Sequence, residues 1–146
     1  MARQLVYDFA RGGRVRAALL EDQAPRTCAA ILAVLPHEAE TLHARWAGRE
    51  VFLPLPLPAK PPMEHQVNRV SAGDIIYARE WEGLYDNTGF ETMGLFYAAE
   101  IVRDWRGEAR VNWVARLLPE DLPALETIGL RIWRTGGERV RVSVAG

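Results

Sequence analysis

The sequence is poor in cysteine, lysine, serine and long apolar runs, and each shortage closes a class of function. Cys28 is the single cysteine. No disulfide can form within the chain, which excludes a secreted fold built on bridges, and without a cysteine pair a structural zinc site is unsupported. Ser71 and Ser143 are the only serines, and neither sits on the strand–turn–helix elbow that a nucleophilic serine needs. No stretch approaches the apolar length that spans a bilayer. The opening residues MARQLVYDFARGG lack the apolar region and cleavage site of a secretory leader, so a cytoplasmic location with no membrane partner is the expectation. Lys60 is the lone lysine among 18 basic residues. Positive charge is therefore almost all guanidinium, suited to planar pairing with carboxylates, although coding bias in a GC-rich genome accounts for it as simply. A formal net charge of −1 offers no basic field to nucleic acid.

What is present reads as one globular domain over residues 1–146, long enough to bury a sizeable core. Leu5, Tyr7 and Phe9 alternate with Val6 and Asp8 as in a covered strand. Gly12-Gly13 turns the chain into a second strand carrying Val15, Ala17 and Leu19. The segment EDQAPRTCAAILAVLP predicts a helix, with Asp22 as its cap, Pro25 in its first turn and Cys28 on its buried face. Leu42 to Trp46 reads as a strand, Ala47-Gly48-Arg49 as a turn and Glu50 to Leu53 as the return. The proline-dense LPLPLPAKPP, residues 53–62, cannot be a central strand; a connecting loop or edge competes with an exposed polyproline arm. Further strands are expected at Ile75–Tyr77, Met93–Ala98, Val111–Ala115 and Val140–Val144. A second helix runs through PEDLPALETIGLRIW to Gly136-Gly137. About eight strands, mostly hairpins, with a helix after the second and another before the last, close most simply into a barrel; a flat sheet with both helices on one face is the competing layout.

Few motifs carry chemistry. His37-Glu38 and His43 put the histidines six apart across a helix end, not the four apart that lets two imidazoles reach one zinc. No glycine-rich phosphate loop follows a strand, and no motif calls for a cofactor. The pairs Glu21/Asp22 and Glu120/Asp121 stand where helix caps belong.

The opening GGRVRAALLEDQAPRTCAAIL resembles the start of cyclophilins, where a hairpin strand, an acidic pair, an Ala-Pro and a threonine lead into the first helix. The closing NWVARLLPEDLPALETIGLRIWRTGGERVRVSVA resembles their last strands and second helix, and RWAGREVF resembles small bacterial cyclophilin-like proteins of unknown function. The fold implied is mainly β: a closed eight-stranded cyclophilin-like β-barrel capped by two α-helices. The resemblance also places Leu42-His43-Ala44-Arg45 where prolyl isomerases carry Phe-His-Arg, so Arg45 is the matching catalytic candidate. Val51-Phe52-Leu53-Pro54 replaces their Phe-Met-Gln-Gly-Gly, and Asn87-Thr88-Gly89 stands near their Asn- and Gly-rich loop.

Three readings follow. In the first, a binding module recognises a small anionic or peptide ligand in a groove, with His43, Arg45 and Arg49 as polar contacts and Trp46, Phe52, Tyr77, Trp81 and Phe96 as walls. In the second, a divergent peptidyl-prolyl cis-trans isomerase uses Arg45 to stabilise the twisted amide. In the third, the tryptophans and the proline-rich segment form a homo-oligomer interface. Arg45 can also pair with Glu50 across the hairpin, which would leave it a structural residue.

Overall fold

The computed structural model describes residues 2–81 and 90–145. Eight long strands lie among them: β1 (Gln4–Phe9), β2 (Arg14–Leu19), β3 (His37–His43), β4 (Glu50–Pro54), β5 (Asp74–Arg79), β6 (Glu91–Phe96), β7 (Val111–Leu117) and β8 (Glu138–Ala145). They pair antiparallel in the order β2-β1-β8-β3-β4-β6-β5-β7, and β7 closes back on β2 through Ala115 opposite Leu19 and Leu117 opposite Ala17. Closure leaves none of the eight with an unpaired edge. Helix α1 (Pro25–Leu32) follows β2, and α2 (Leu122–Thr135) precedes β8, so the mainly β barrel with two helices is the fold, and the flat-sheet layout is not.

Alternation sorts side chains to the two barrel faces. Leu5, Tyr7, Val15, Ala17, Val51, Leu53, Ile75, Tyr77, Met93, Leu95, Val140 and Val142 form one interior cluster. The helices seal it with Cys28 and Ile31 from α1 and Leu125, Ile128 and Ile132 from α2. Burial drives the Cys28 thiol up to about 12, an unreactive packed side chain. Simple alternation fails in β7, where a register shift between Trp113 and Ala115 puts Val111 outside the barrel and both Val114 and Ala115 inside.

The helix caps are not the expected ones. Neither helix has a side-chain cap at its own N-terminus. Glu64, far along the chain, instead accepts from the backbone N–H of Arg26 (3.2 Å) and Thr27 (2.9 Å) and from the Thr27 hydroxyl (2.8 Å) at the start of α1. Asp121 turns to the Arg16 guanidinium in a two-point pair at 2.9 and 3.0 Å, and Glu21 pairs with Arg3. Helix α1 also stops at Leu32, a turn short of Pro36.

The proline-rich segment is neither a free arm nor a slack loop. Leu53, Leu55 and Leu57 point into the core while Pro54, Pro56 and Pro58 face out, so the period of two continues past β4. The buried carboxylate of Glu91 holds it there, accepting from the Leu57 N–H (3.0 Å), the Tyr77 hydroxyl (2.5 Å) and Lys60 Nζ.

Outside the barrel, a second layer covers the face of β5, β6 and β7. Its ladders join Arg69–Val70 to Glu100–Ile101 and Arg103–Asp104 to Gly107–Glu108. Val70, Val102 and Val111 pack there on Ile76, Ala78 and Phe96.

Replacing Glu91 by Ala orphans the Tyr77 hydroxyl and the Leu57 N–H at once. The expected loss is about 3 kcal/mol of unfolding free energy by urea titration, against less than about 1 kcal/mol for Lys60→Met, whose partner stays satisfied by the other two donors. Equal losses would show that the charge pair, rather than the buried hydrogen bonds, holds the segment.

Candidate functional site

Between the covering layer and the outer faces of β4, β5 and β6 lies an open cavity of about 640 Å³. Its floor follows from strand register. Val51 and Leu53 point into the barrel, so Glu50 and Phe52 point out; Phe52 stands opposite Gly94, Gly94 opposite Ile76, and Thr92 opposite Ala78. Small side chains at 78, 92 and 94 leave the depression. Trp46, Phe52, Trp81, Phe90 and Trp105 wall it, with Met63 and Val102. Trp46 meets Phe52 edge-on at 5.5 Å between ring centres. Trp81 is fixed by donating its indole N–H to the Arg110 carbonyl (3.1 Å) and by the Arg79 guanidinium 4.9 Å over its ring.

Glu50 is the unusual group. It is 7% exposed, lines the cavity, and its carboxyl makes no hydrogen bond or ion pair among the described residues. Burial alone pushes it up from an ordinary 4.5 to about 8. Gly94 makes the space for it: a Cβ built there would collide with Oε2 of Glu50. Among the described residues, the other acids around the cavity are engaged. Arg106 pairs with Glu80 (3.1 Å) and Asp104 (3.0 Å), and Asn68 donates to Glu108 (2.9 Å). No group of three His, Cys, Asp or Glu side chains among the described residues is placed to hold a metal ion.

Of the eight groove candidates, Trp46, Phe52 and Trp81 line the cavity. Phe96 faces outward but is fully buried beneath the covering layer. Tyr77 points into the barrel and meets Trp81 edge-on at 6.1 Å. His43 lies opposite Val51 and so turns away from the groove, to the α2 end, where its Nε2 shares a 2.7 Å hydrogen bond with the Tyr97 hydroxyl and its Nδ1 has no partner. Burial, and to a lesser extent Arg45, hold its pKa below the usual histidine value. Arg45 is on a 3-10 turn, Arg45–Ala47, where β3 was expected to continue. It donates to the Trp133 carbonyl at 2.5 Å and lies 5.7 Å over that indole; the pair with Glu50 is not formed. Arg49 is bound to Glu100 at 2.9 Å through its guanidinium and 3.0 Å through its N–H. Asn87-Thr88-Gly89 falls outside the described residues.

Sequence reasoning missed Glu50 as a site residue. The alternation Glu50-Val51-Phe52-Leu53 already placed it beside Phe52 on one face; what it could not supply was Gly94 across the ladder. Met63, Phe90 and Trp105 come from three separate segments, and no spacing links them.

The chain belongs to a family of proteins of unknown function, DUF3830, which it matches over residues 9–144. No curated protein matches it. Among solved structures it is similar to McbB in complex with tryptophan (TM-score 0.70, 16% identity), covering 95% of this chain but only 44% of that one. It is also similar to the hypothetical protein AF2241 from Archaeoglobus fulgidus (TM-score 0.61, 21% identity, 99% and 95% covered). A third is a cyclophilin-type peptidyl-prolyl cis-trans isomerase from Cryptosporidium parvum, solved in the presence of the dipeptide Ala-Pro (TM-score 0.57, 13% identity, 98% and 99% covered). At these identities the shared property is the cyclophilin-like fold.

Because the folded pKa of Glu50 is raised, the folded state holds a proton that the unfolded chain releases. The resulting stability is complete below pH 4.5 and is lost as pH climbs to about 8. Unfolding free energies from pH 5 to 8.5 are expected to fall for the wild type relative to Glu50→Gln by up to about 1.4 kcal/mol per pH unit. Parallel curves would mean that Glu50 ionises normally.

Proposed function

We propose that this protein is a binding module that takes a small molecule or the end of a peptide into the cavity on the outer barrel face. One observation carries the reading: an unpaired, buried carboxyl opens into an aromatic-walled cavity whose volume suits a small ligand. A buried polar group without a partner is costly, and such groups gather where a ligand completes them. Apolar walls with few polar anchors are the usual make-up of such sites. McbB, 44% of which this chain covers, is known in complex with tryptophan, and the cyclophilin-type isomerase in the presence of Ala-Pro, which accords with a small-molecule or peptide ligand. The Arg103 guanidinium, which lines the rim, suits the carboxylate of an anionic or peptide ligand. Catalysis of prolyl isomerisation has less support, since Arg45 is engaged with Trp133.

The test is a ligand-observed NMR fragment screen, with Trp indole N–H signals as the readout on the protein. Hits are expected to shift Trp81 and Trp105 and to weaken by at least about tenfold on Ala78→Phe, which fills the floor. Arg45→Ala is expected to leave them unchanged. Hits insensitive to Ala78→Phe, or none at millimolar concentration, would overturn the reading.

Exposure of Leu42 (41%), Trp46 (51%) and Trp133 (42%) near the β3–β4 turn favours self-association as a second reading. Sedimentation at micromolar concentration would then give a mass above 16.4 kDa; a monomer would reject it.

A further inference from the structure

We propose that the ligand of this cavity carries an ammonium group, and that Glu50 receives it beside the aromatic wall formed by Trp46 and Phe52. The inference rests on the binding reading above and names the ligand's chemistry.

Geometry carries it. Glu50 is a floor residue with its carboxyl in the cavity and no donor among the described residues. Two residues along the same strand face, Phe52 adds an aromatic wall, and Trp46 packs on Phe52 at 5.5 Å. Aromatic faces attract organic cations, and a carboxylate gives the charge-assisted hydrogen bond. Competing occupants fit less well. A purely apolar ligand would bury the carboxyl unsatisfied. An anion could bond to Glu50 only through its neutral carboxyl, whereas the arginines at the rim offer it a full positive charge. A metal ion lacks further ligands. The acids of the covering layer are already committed, Glu80 and Asp104 to Arg106 and Glu108 to Asn68. Among the described residues, that leaves Glu50 as the acidic acceptor.

Charge balance follows. Free Glu50, at about 8, is mostly protonated at pH 7. An ammonium ion pairs with the carboxylate, so binding expels the carboxyl proton to solvent, roughly one per ligand. The complex is then a neutral ion pair, and no covalent bond changes.

The experiment compares three isosteric probes by calorimetry at pH 7: 2-phenylethylamine, 2-phenylethanol and 3-phenylpropanoate. Titrations run in two buffers of different ionisation enthalpy, with wild type and Glu50→Gln. Support is tighter binding of the amine than of both isosteres by about tenfold or more, proton release with the amine alone, and loss of both in Glu50→Gln. Glutamine keeps the shape and removes a buried ionisable group, so the variant should fold. Comparison of the probes on wild type needs no variant. If the alcohol or the carboxylate binds as well as the amine, or Glu50→Gln keeps the preference, the amine assignment is wrong while the cavity stands as a binding site. If no probe binds at millimolar concentration and no indole signal moves, the binding reading falls and this inference with it.

Discussion

Closure of the sheet between β2 and β7 is the constraint on which the other features depend. Once the last strand pairs with the second, each side chain is committed to the interior or the outside by the parity of its position. The interior is apolar without exception in β4, where Val51 and Leu53 enter it, and that commitment exports Glu50 and Phe52. Export alone makes no site. The covering layer from residues 66–70 and 97–110 seals the outer faces of β5 and β6 over Phe96 and Ile76. It leaves a depression only where Ala78, Thr92 and Gly94 are small.

The arginine-rich composition finds its use largely in pairing with acids. Five carboxylates are buried among the described residues: Glu50, Asp74, Glu91, Asp121 and Glu138. Asp74 is held by Arg116, Glu91 by Lys60 and Tyr77, Asp121 by Arg16, and Glu138 by Arg11 and Arg131. Each of those four joins segments far apart in the chain or locks a terminus of α2, and a buried charge so matched tolerates the loss of solvent. Glu50 breaks the pattern. Burial costs it hydration and returns no hydrogen-bond partner among the described residues. A residue kept against local energetics is where function is to be sought.

The sequence made the barrel legible through particular elements. Gly12-Gly13 with flanking alternation gave the first hairpin, and Leu125, Ile128 and Ile132 at helical spacing gave the second helix. Capping was misjudged because the donors at α1 are met by Glu64 from a segment some forty residues on, and proximity in sequence carried no information about that contact. Arg45 was placed in the groove on the premise that β3 runs on to Trp46. The strand ends at His43, and the 3-10 turn that follows swings the guanidinium onto Trp133. The proline-rich segment reads from sequence as a loop, an edge or an arm because proline cannot donate to a ladder. Here the prolines take the outward positions, where no donor is needed, and the leucines between them reach the core.

The same parity that turns His43 from the groove explains how one barrel can serve unlike chemistries. Beside the β3–β4 turn the outward positions are Leu42, Glu50 and Phe52, so the polar group presented to the groove from this hairpin is an acid rather than a guanidinium. Substituting a residue at an outward position, with the register kept, changes the charge that the groove offers a ligand and leaves the interior cluster in place. Fold and site are thus set by alternate residues of one strand. Val51 and Leu53 answer to the core, Glu50 and Phe52 to whatever enters the cavity, and the second pair can change without cost to the first.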